Sequence, residues 1–583
     1  MFTLSYDARN RPTFADAPGT AHDIQYTYDT CANGVNKLCR LTRGANTTQY
    51  AYNGFGDVLS IDQDVQTATA FVGSSLGIRY DAAGRRQTII YPGNTRVSYG
   101  YDAMGYVNQL TLDRNGSITE LISAVVYEPF GPLKALNLGN GLARSIDHDQ
   151  AYRITAINDP VYDVAFNYDA NGNIIYQSRN VGDLDTGYDA LDKLTTATGS
   201  VDSYAYTYDR NANRLSDTLN GTSTTYAYEP FSNRLNQAGL DPVLLDANGN
   251  TTQLRGMTLD YSPDNRLIAA NDSNYGYNGM GERVVKTNAA TATVYVYGLQ
   301  GQLMAELDGS GQIEKAYIYL NGQAFAVLDY ASDTAGELTY IHTDHLGAPQ
   351  GLSDESANIV WLADYSPFGL AIVNEDPDLD GNAVTLNLRF PGQYYDQESQ
   401  LHYNYFRDYD PQTGRYVQSD PIGLSGGLNT YAYVGNNPIM KTDPLGLVEW
   451  IGTQTTAAAG EFGGAVIFTF NLETKCIKGK KGTIKVRAGG GAAMLGLPLS
   501  ATHSRKVKFE DGLSEISPGV FNGQAKYSYI SWALGVGGSY QYIQLGGATT
   551  SGVGGQVGYD ASTASGIGWS NLMASEITEC ECE

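Results

Sequence analysis

The sequence is short of cysteine, of long apolar runs and of basic charge. Five cysteines in 583 residues cannot complete a disulfide framework. Cys31 and Cys39 flank Ala-Asn33-Gly34-Val-Asn-Lys-Leu, where Asn-Gly favours a tight hairpin that sets the two across from one another. Cys476 has Cys580 or Cys582 as an alternative partner, not both, and free thiols are the other reading for all five. No stretch of 18 apolar residues occurs, which excludes a membrane-spanning helix. The opening Met1-Phe-Thr-Leu-Ser-Tyr-Asp7 has neither a basic nor an apolar segment, so no cleaved signal peptide is expected. Secretion or surface display would need a dedicated export machine or an upstream segment. With 37 basic against 62 acidic residues the net charge is −25, which disfavours non-specific binding of nucleic acid or an anionic membrane by the whole chain. Residues 448–583 carry ten Lys and Arg against eleven Asp and Glu, so nearly all the acidic excess lies in 1–447.

What is present is tyrosine and glycine, 44 and 67 residues, in a chain that is 42% hydrophobic. That composition favours strands and turns and excludes disorder. It is also repetitive. Tyr-Asp opens units at Tyr6, Tyr28, Tyr80, Tyr101, Tyr168, Tyr188 and Tyr208, with spacings of 21 (80 to 101) and 20 (168 to 188 to 208). Tyr52-Asn and Tyr277-Asn open related units. The unit reads Tyr-Asp-Xaa-Xaa-Gly/Asn-Asn/Arg-Arg-Leu. Its aromatic ends one strand, Asp and Gly or Asn make the turn, and Arg-Leu starts the returning strand. One such hairpin is marginal alone; stacking hairpins edge to edge gives a long antiparallel sheet that coils because sheets twist with one hand.

These units resemble the YD repeats of the Rhs family, shared with the C component of insecticidal toxin complexes and with teneurins. The resemblance continues through Tyr340-Ile-His342-Thr-Asp344-His345-Leu-Gly, Trp361-Leu-Ala-Asp-Tyr-Ser-Pro-Phe-Gly and Phe390-Pro-Gly-Gln-Tyr-Tyr-Asp, and the stretch from Arg407 to Leu447 resembles the Rhs-associated core. It implies a mainly β architecture: a repeat shell over 1–338, the associated core over 339–447 and a variable C-terminal effector over 448–583. The shell would be hollow and would hold the C-terminal segment as cargo. Some 400 residues of shell are fewer than the family uses to close a cavity, so a truncated or orphan form is expected, with an upstream repeat-containing chain, an export machine and an immunity protein as partners. The competing class is a surface adhesin whose Tyr-rich repeats bind carbohydrate without proteolysis.

The chemistry is expected between two copies of Asp-Pro-Xaa-Gly-Leu, at 420–424 and 443–447. Two adjacent carboxylates share a proton because both cannot ionise, which supplies one base and one acid for peptide hydrolysis. An arginine beside them would hold one carboxylate ionised or stabilise the developing oxyanion. Mapped by motif position, the resemblance assigns Arg407, Asp420 and Asp443 to these roles and puts the cut between Leu447 and Val448. Arg415 is a rival for the arginine. The bland alternative is that Asp-Pro-Xaa-Gly is a type I turn.

Other signals are weaker. His342 and His345 lack a third ligand, and their spacing suits opposite faces of a strand, so a structural role is expected. Asp376, Asp378 and Asp380 open like a calcium loop, but position twelve is Asn387 rather than a bidentate Glu, and an acidic turn is the alternative. No motif calls for a cofactor. In 448–583, Gly482–Arg487, Tyr527–Val536 and Tyr540–Leu545 read as strands of an antiparallel meander, with weak helix support over 457–462. His503, Arg505 and Lys506 are the weak effector candidates. A nuclease acting on nucleic acid, a pore of amphipathic hairpins and a non-enzymatic binding domain all remain open.

Overall fold

The computed structural model describes residues 3–447 apart from 130, 131 and 332, and the backbone of strands between Trp450 and Glu579. Among the described residues there is no α-helix; strands are joined by turns and by short 3-10 segments. The chain builds antiparallel sheets in sequence order: one of 23 strands from Thr3 to Pro242, one of 14 from Leu244 to Asn374, and one of four from Tyr394 to Tyr416. The strand Glu337–Thr343 carries the second sheet across residue 338.

Each Tyr-Asp unit forms a hairpin for reasons visible in its atoms. In the unit at 168, the Asp169 backbone N–H donates to the Asn173 carbonyl at 2.9 Å and the Gly172 N–H donates back to the Asp169 carbonyl at 3.1 Å. The Asp169 Oδ1 accepts the Asn173 amide at 2.8 Å. The fourth turn position has a positive φ, +88° at Gly172, +58° at Asp192 and +60° at Ala212. That left-handed residue opens a bulge, and the register shifts at Tyr168, Tyr188 and Tyr208 in turn.

Tyrosine recurs because it ties one hairpin to the previous one. The hydroxyls of Tyr168, Tyr188, Tyr208 and Tyr228 donate to the carbonyls of Ile154, Ile174, Leu194 and Arg214, each 14 residues earlier. The basic residue after the turn covers the next ring: Arg85 lies 4.4 Å from the Tyr101 centroid, and Arg153 lies 4.5 Å from that of Tyr168. The unit is therefore a chain of Asp turn, basic side chain and aromatic staple.

The long sheets coil into a shell whose successive turns pack on each other. One core cluster joins Ile61–Leu138 side chains to those of Val284–Tyr340. Across that seam the Tyr91 hydroxyl donates to the Tyr317 carbonyl at 2.8 Å, 226 residues away, and Tyr99 does the same to Tyr319 at 3.0 Å. The four-stranded sheet packs against the second sheet through Tyr394, Leu401 and Tyr403.

Cys31 and Cys39 form a disulfide. They bracket a loop longer than a two-residue hairpin, spanning the gap between strands Ile24–Tyr28 and Leu38–Arg43. In the C-terminal segment the strands are antiparallel but not a meander. The strand His503–Phe509 pairs with Trp450–Ala459, and Asp560–Glu579 inserts between Lys480–Leu495 and Gly523–Ala533. Residues 457–459 belong to a strand, against the helix expected there. Cys476, Cys580, Cys582 and Val448, and the side chains of His503, Arg505 and Lys506, lie outside the described residues.

Candidate functional site: two aspartates on one guanidinium

Arg407 begins the strand Arg407–Asp410, and its guanidinium lies 3.6 Å from the centre of the Tyr416 ring. Its Nη1 donates to the Thr430 carbonyl at 3.2 Å. Its Nη2 reaches both predicted aspartates, at 3.1 Å to Asp420 Oδ2 and 3.3 Å to Asp443 Oδ2. The two motif copies, 23 positions apart in sequence, therefore meet on a single nitrogen. The intervening segment makes this possible by looping over turns of the first sheet and the first turn of the second, and returning. Asn429 donates to Asn213 at 2.9 Å, Tyr431 to the Gly249 carbonyl at 2.8 Å, and Asn437 to Asn173 at 3.0 Å.

The two copies are not equivalent. At 420 the expected turn closes, the Gly423 N–H donating to the Asp420 carbonyl at 2.9 Å, while Oδ1 accepts the Ile422 amide at 3.0 Å. The Asp420 carboxyl is buried, and burial pushes its pKa up to about 6 against the opposing pull of Arg407 and the Ile422 amide; the Asp443 charge adds to the rise. At 443 the carboxylate itself caps the loop. Its Oδ1 accepts the Gly446 amide at 2.6 Å and the Leu447 amide at 3.1 Å, and its Oδ2 accepts the Tyr416 hydroxyl at 2.8 Å. Asp443 thus accepts four donors, counting Arg407, beside a second carboxyl that burial biases toward its proton. One of its bonds reaches the residue just before the expected cut.

Support for the Asp443 loop comes from residues that the motif does not contain. Asn404 Nδ2 donates to the Asp443 carbonyl at 2.8 Å, and the Phe406 N–H donates to the Leu445 carbonyl at 3.3 Å. Gly392, at φ +84°, lies so close to Pro444 that a Cβ there would come within 2.6 Å of the proline Cα and collide with its carbonyl. Arg415, the rival arginine, is directed elsewhere. It donates to the Asn233 carbonyl at 2.5 Å and stacks on Tyr228 and Tyr431.

His342 and His345 do not face a common ligand. His345 lies in a turn beyond the strand that holds His342, rather than on its opposite face, and its Nε2 is 2.8 Å from the Ile439 carbonyl. His342 is the middle of a Ser-His-Asp array: Nδ1 is 2.8 Å from Asp159 and Nε2 is 2.8 Å from Ser353 Oγ. The array is sealed, with Ser353 fully buried and its Oγ accepting the Asn140 amide at 2.9 Å. Asp159 also pairs with Arg144 at 2.9 Å. Although burial opposes it, the His342 contact and the Arg144 charge hold the Asp159 carboxyl down at about 2. With no room for a substrate at the serine, this is a clasp between strands.

The carboxylates of Asp376, Asp378 and Asp380 converge within 4.8 Å of one another. Asp376 is taken up by the Asp380 amide at 3.1 Å and the Gly381 amide at 3.3 Å, as in an acidic turn. Asn387 donates instead to the Tyr394 hydroxyl at 3.0 Å, so the twelfth position does not complete a calcium loop.

Comparison with known proteins supports the shell and its toxin relatives. The chain is 28% identical over 327 residues to the double-stranded DNA deaminase toxin A of Burkholderia cenocepacia, covering 48% of this chain and 22% of that protein. It is 25% identical over 507 residues to the toxin protein Tse5 of Pseudomonas aeruginosa, covering 74% of this chain and 36% of that protein. The chain thus spans between about a fifth and about a third of the length of these relatives. The Photorhabdus luminescens Tc holotoxin pore structure shares the fold, with a TM-score of 0.64 at 19% identity over 76% of this chain and 27% of that one. Residues 144–439, just over half of the sequence, match the teneurin YD-shell family, and the chain belongs to that family.

Proposed function

We propose that this chain is the shell and cleavage core of an Rhs-type polymorphic toxin, and that it releases its C-terminal segment by hydrolysing the Leu447–Val448 bond. The observation that carries this reading is the bridging of Asp420 and Asp443 by Arg407 Nη2, with Asp443 also bonded to the amide of Leu447. In this reading Asp443, ionised, takes a proton from the water that adds to the Leu447 carbonyl carbon. Asp420, which burial keeps as an acid up to about pH 6, gives its proton to the Val448 nitrogen as the C–N bond breaks. The products are the Leu447 carboxylate and the Val448 amine. Arg407 holds the two carboxyls side by side and balances the charge that builds on the carbonyl oxygen.

The cargo is the chain's own segment 448–583, whose activity in the target is that of an effector. The toxin names of the relatives favour this class over an adhesin. Additional repeats on another chain, an export machine and an immunity protein are the partners this reading calls for. The test is a denaturing gel of the full chain beside its Asp443→Asn variant. Two species from the parent and one from the variant are expected; one intact species from both overturns the reading.

A further inference from the structure

The Arg407–Asp420–Asp443 cluster leaves unexplained how Asp443, on a loop with no regular structure of its own, keeps its place. The answer lies on the four-stranded sheet. Asn404 is paired with Arg407 across adjacent strands, and Tyr416 is paired with Tyr409 on the next strand along. Both are buried, at 0% and 1% exposure. The Asn404 Nδ2 donates to the Tyr416 hydroxyl at 2.8 Å and to the Asp443 carbonyl at 2.8 Å, using both of its hydrogens. Because Asn404 supplies a donor to the Tyr416 oxygen, the single hydroxyl proton is directed to Asp443 Oδ2, 2.8 Å away. The same tyrosine ring lies under the Arg407 guanidinium. Burial and the Asp443 charge both push the Tyr416 hydroxyl well above its ordinary pKa, so it stays a donor.

We propose that Tyr416 and Asn404 are positioning residues for the cleavage: Tyr416 aims the Asp443 carboxyl through its hydroxyl, and Asn404 fixes both that hydroxyl and the backbone of the Asp443 loop. The inference rests on the cleavage reading above. It makes the division of labour between the two aspartates a property of Tyr416. Asp443 accepts a buried hydroxyl hydrogen bond that Asp420 lacks, and that bond makes the two carboxyls inequivalent.

The test uses the full chain, synthesised in a cell-free system, pulse-labelled and followed on denaturing gels between pH 5 and 8. Tyr416→Phe keeps the ring under Arg407 and removes only the hydroxyl. It is expected to slow cleavage roughly tenfold to a hundredfold, the scale of one lost hydrogen bond to a charged group. Its pH profile is expected to shift, because the pair has lost the hydroxyl that bonds Asp443 and not Asp420. Asn404→Ala, which frees the hydroxyl and the loop together, is expected to slow cleavage as well, and it carries the test should the Phe variant fail to fold. If the parent is cut after Leu447 while Tyr416→Phe has the parent's rate, or is slow with an unshifted pH profile, the positioning role is overturned and the cleavage reading stands. If the parent itself is not cut, the cleavage reading fails first.

Discussion

Asp149, in a repeat turn, and Asp420, in the core, make the same local bond and end in opposite electrostatic states. Each presents Oδ1 to the amide two residues ahead, Ala151 at 2.8 Å and Ile422 at 3.0 Å. Asp149 lies at the surface, where the Arg153 amide outweighs a small burial effect and, with the Arg153 side chain, holds its carboxyl below the ordinary range. Asp420 is enclosed, and there burial outweighs both the amide and a facing guanidinium. The difference lies in what surrounds the turn: water for the repeats, packed sheet for the core. A fold made of many acidic turns becomes a candidate catalyst at the place where such turns are buried against each other and share one arginine.

The largest effect that would break this contrast is loss of either buried carboxyl. Asp420→Asn is expected to slow cleavage by about a thousandfold or more, the upper range of acid–base contributions, whereas Asp149→Asn should leave cleavage unchanged on the same gel. Loss of both effects, or their reversal, would show that burial does not distinguish the two. Next comes pH. Since the acid form of Asp420 is the reactive one and its pKa is raised to about 6, the cleavage rate should fall as pH rises above 6, by about tenfold per unit. A rate that climbs from pH 6 to 8 would assign the proton elsewhere. Gly392→Ala then sharpens the packing side of the comparison. Its Cβ would collide with Pro444 in a backbone conformation that also disfavours alanine, so cleavage should slow by about tenfold with the repeat sheet intact by circular dichroism. The smallest effect belongs to the repeats. Tyr208→Phe removes the hydroxyl bond to the Leu194 carbonyl and should lower stability by about 1 kcal/mol, read by urea denaturation, with no change in cleavage.

Much of the shell is legible in the sequence, because a Tyr-Asp period near 20 residues fixes strand length, turn and register together. The 14-residue reach of each tyrosine hydroxyl is not, since no spacing rule says which carbonyl a half-buried phenol will find. At the core, the identical framing of Asp420 and Asp443 is enough to nominate the pair, whereas Arg407, with Arg415 as its rival, is nominated only by the motif position that the family resemblance supplies. What escaped were residues that act on parts of the chain outside their own motif. Asn404 and Tyr416 read as ordinary strand residues, and Gly392 as an ordinary turn glycine. His342 reads as a lone histidine because its partner Asp159 lies 183 positions away. The same limit accounts for the C-terminal segment. Alternation located three of its strands, but the insertion of Asp560–Glu579 between two earlier strands depends on long-range pairing that local pattern does not encode.

The most direct measurement is the intact mass of every species present after synthesis of the full chain at pH 6. Cleavage at the proposed bond predicts a small fragment whose mass corresponds to residues 448–583 with a free amine on Val448, and its complement ending in a Leu447 carboxylate, both absent from Asp420→Asn. A single mass for residues 1–583, or a small fragment beginning at any other residue, would contradict the account.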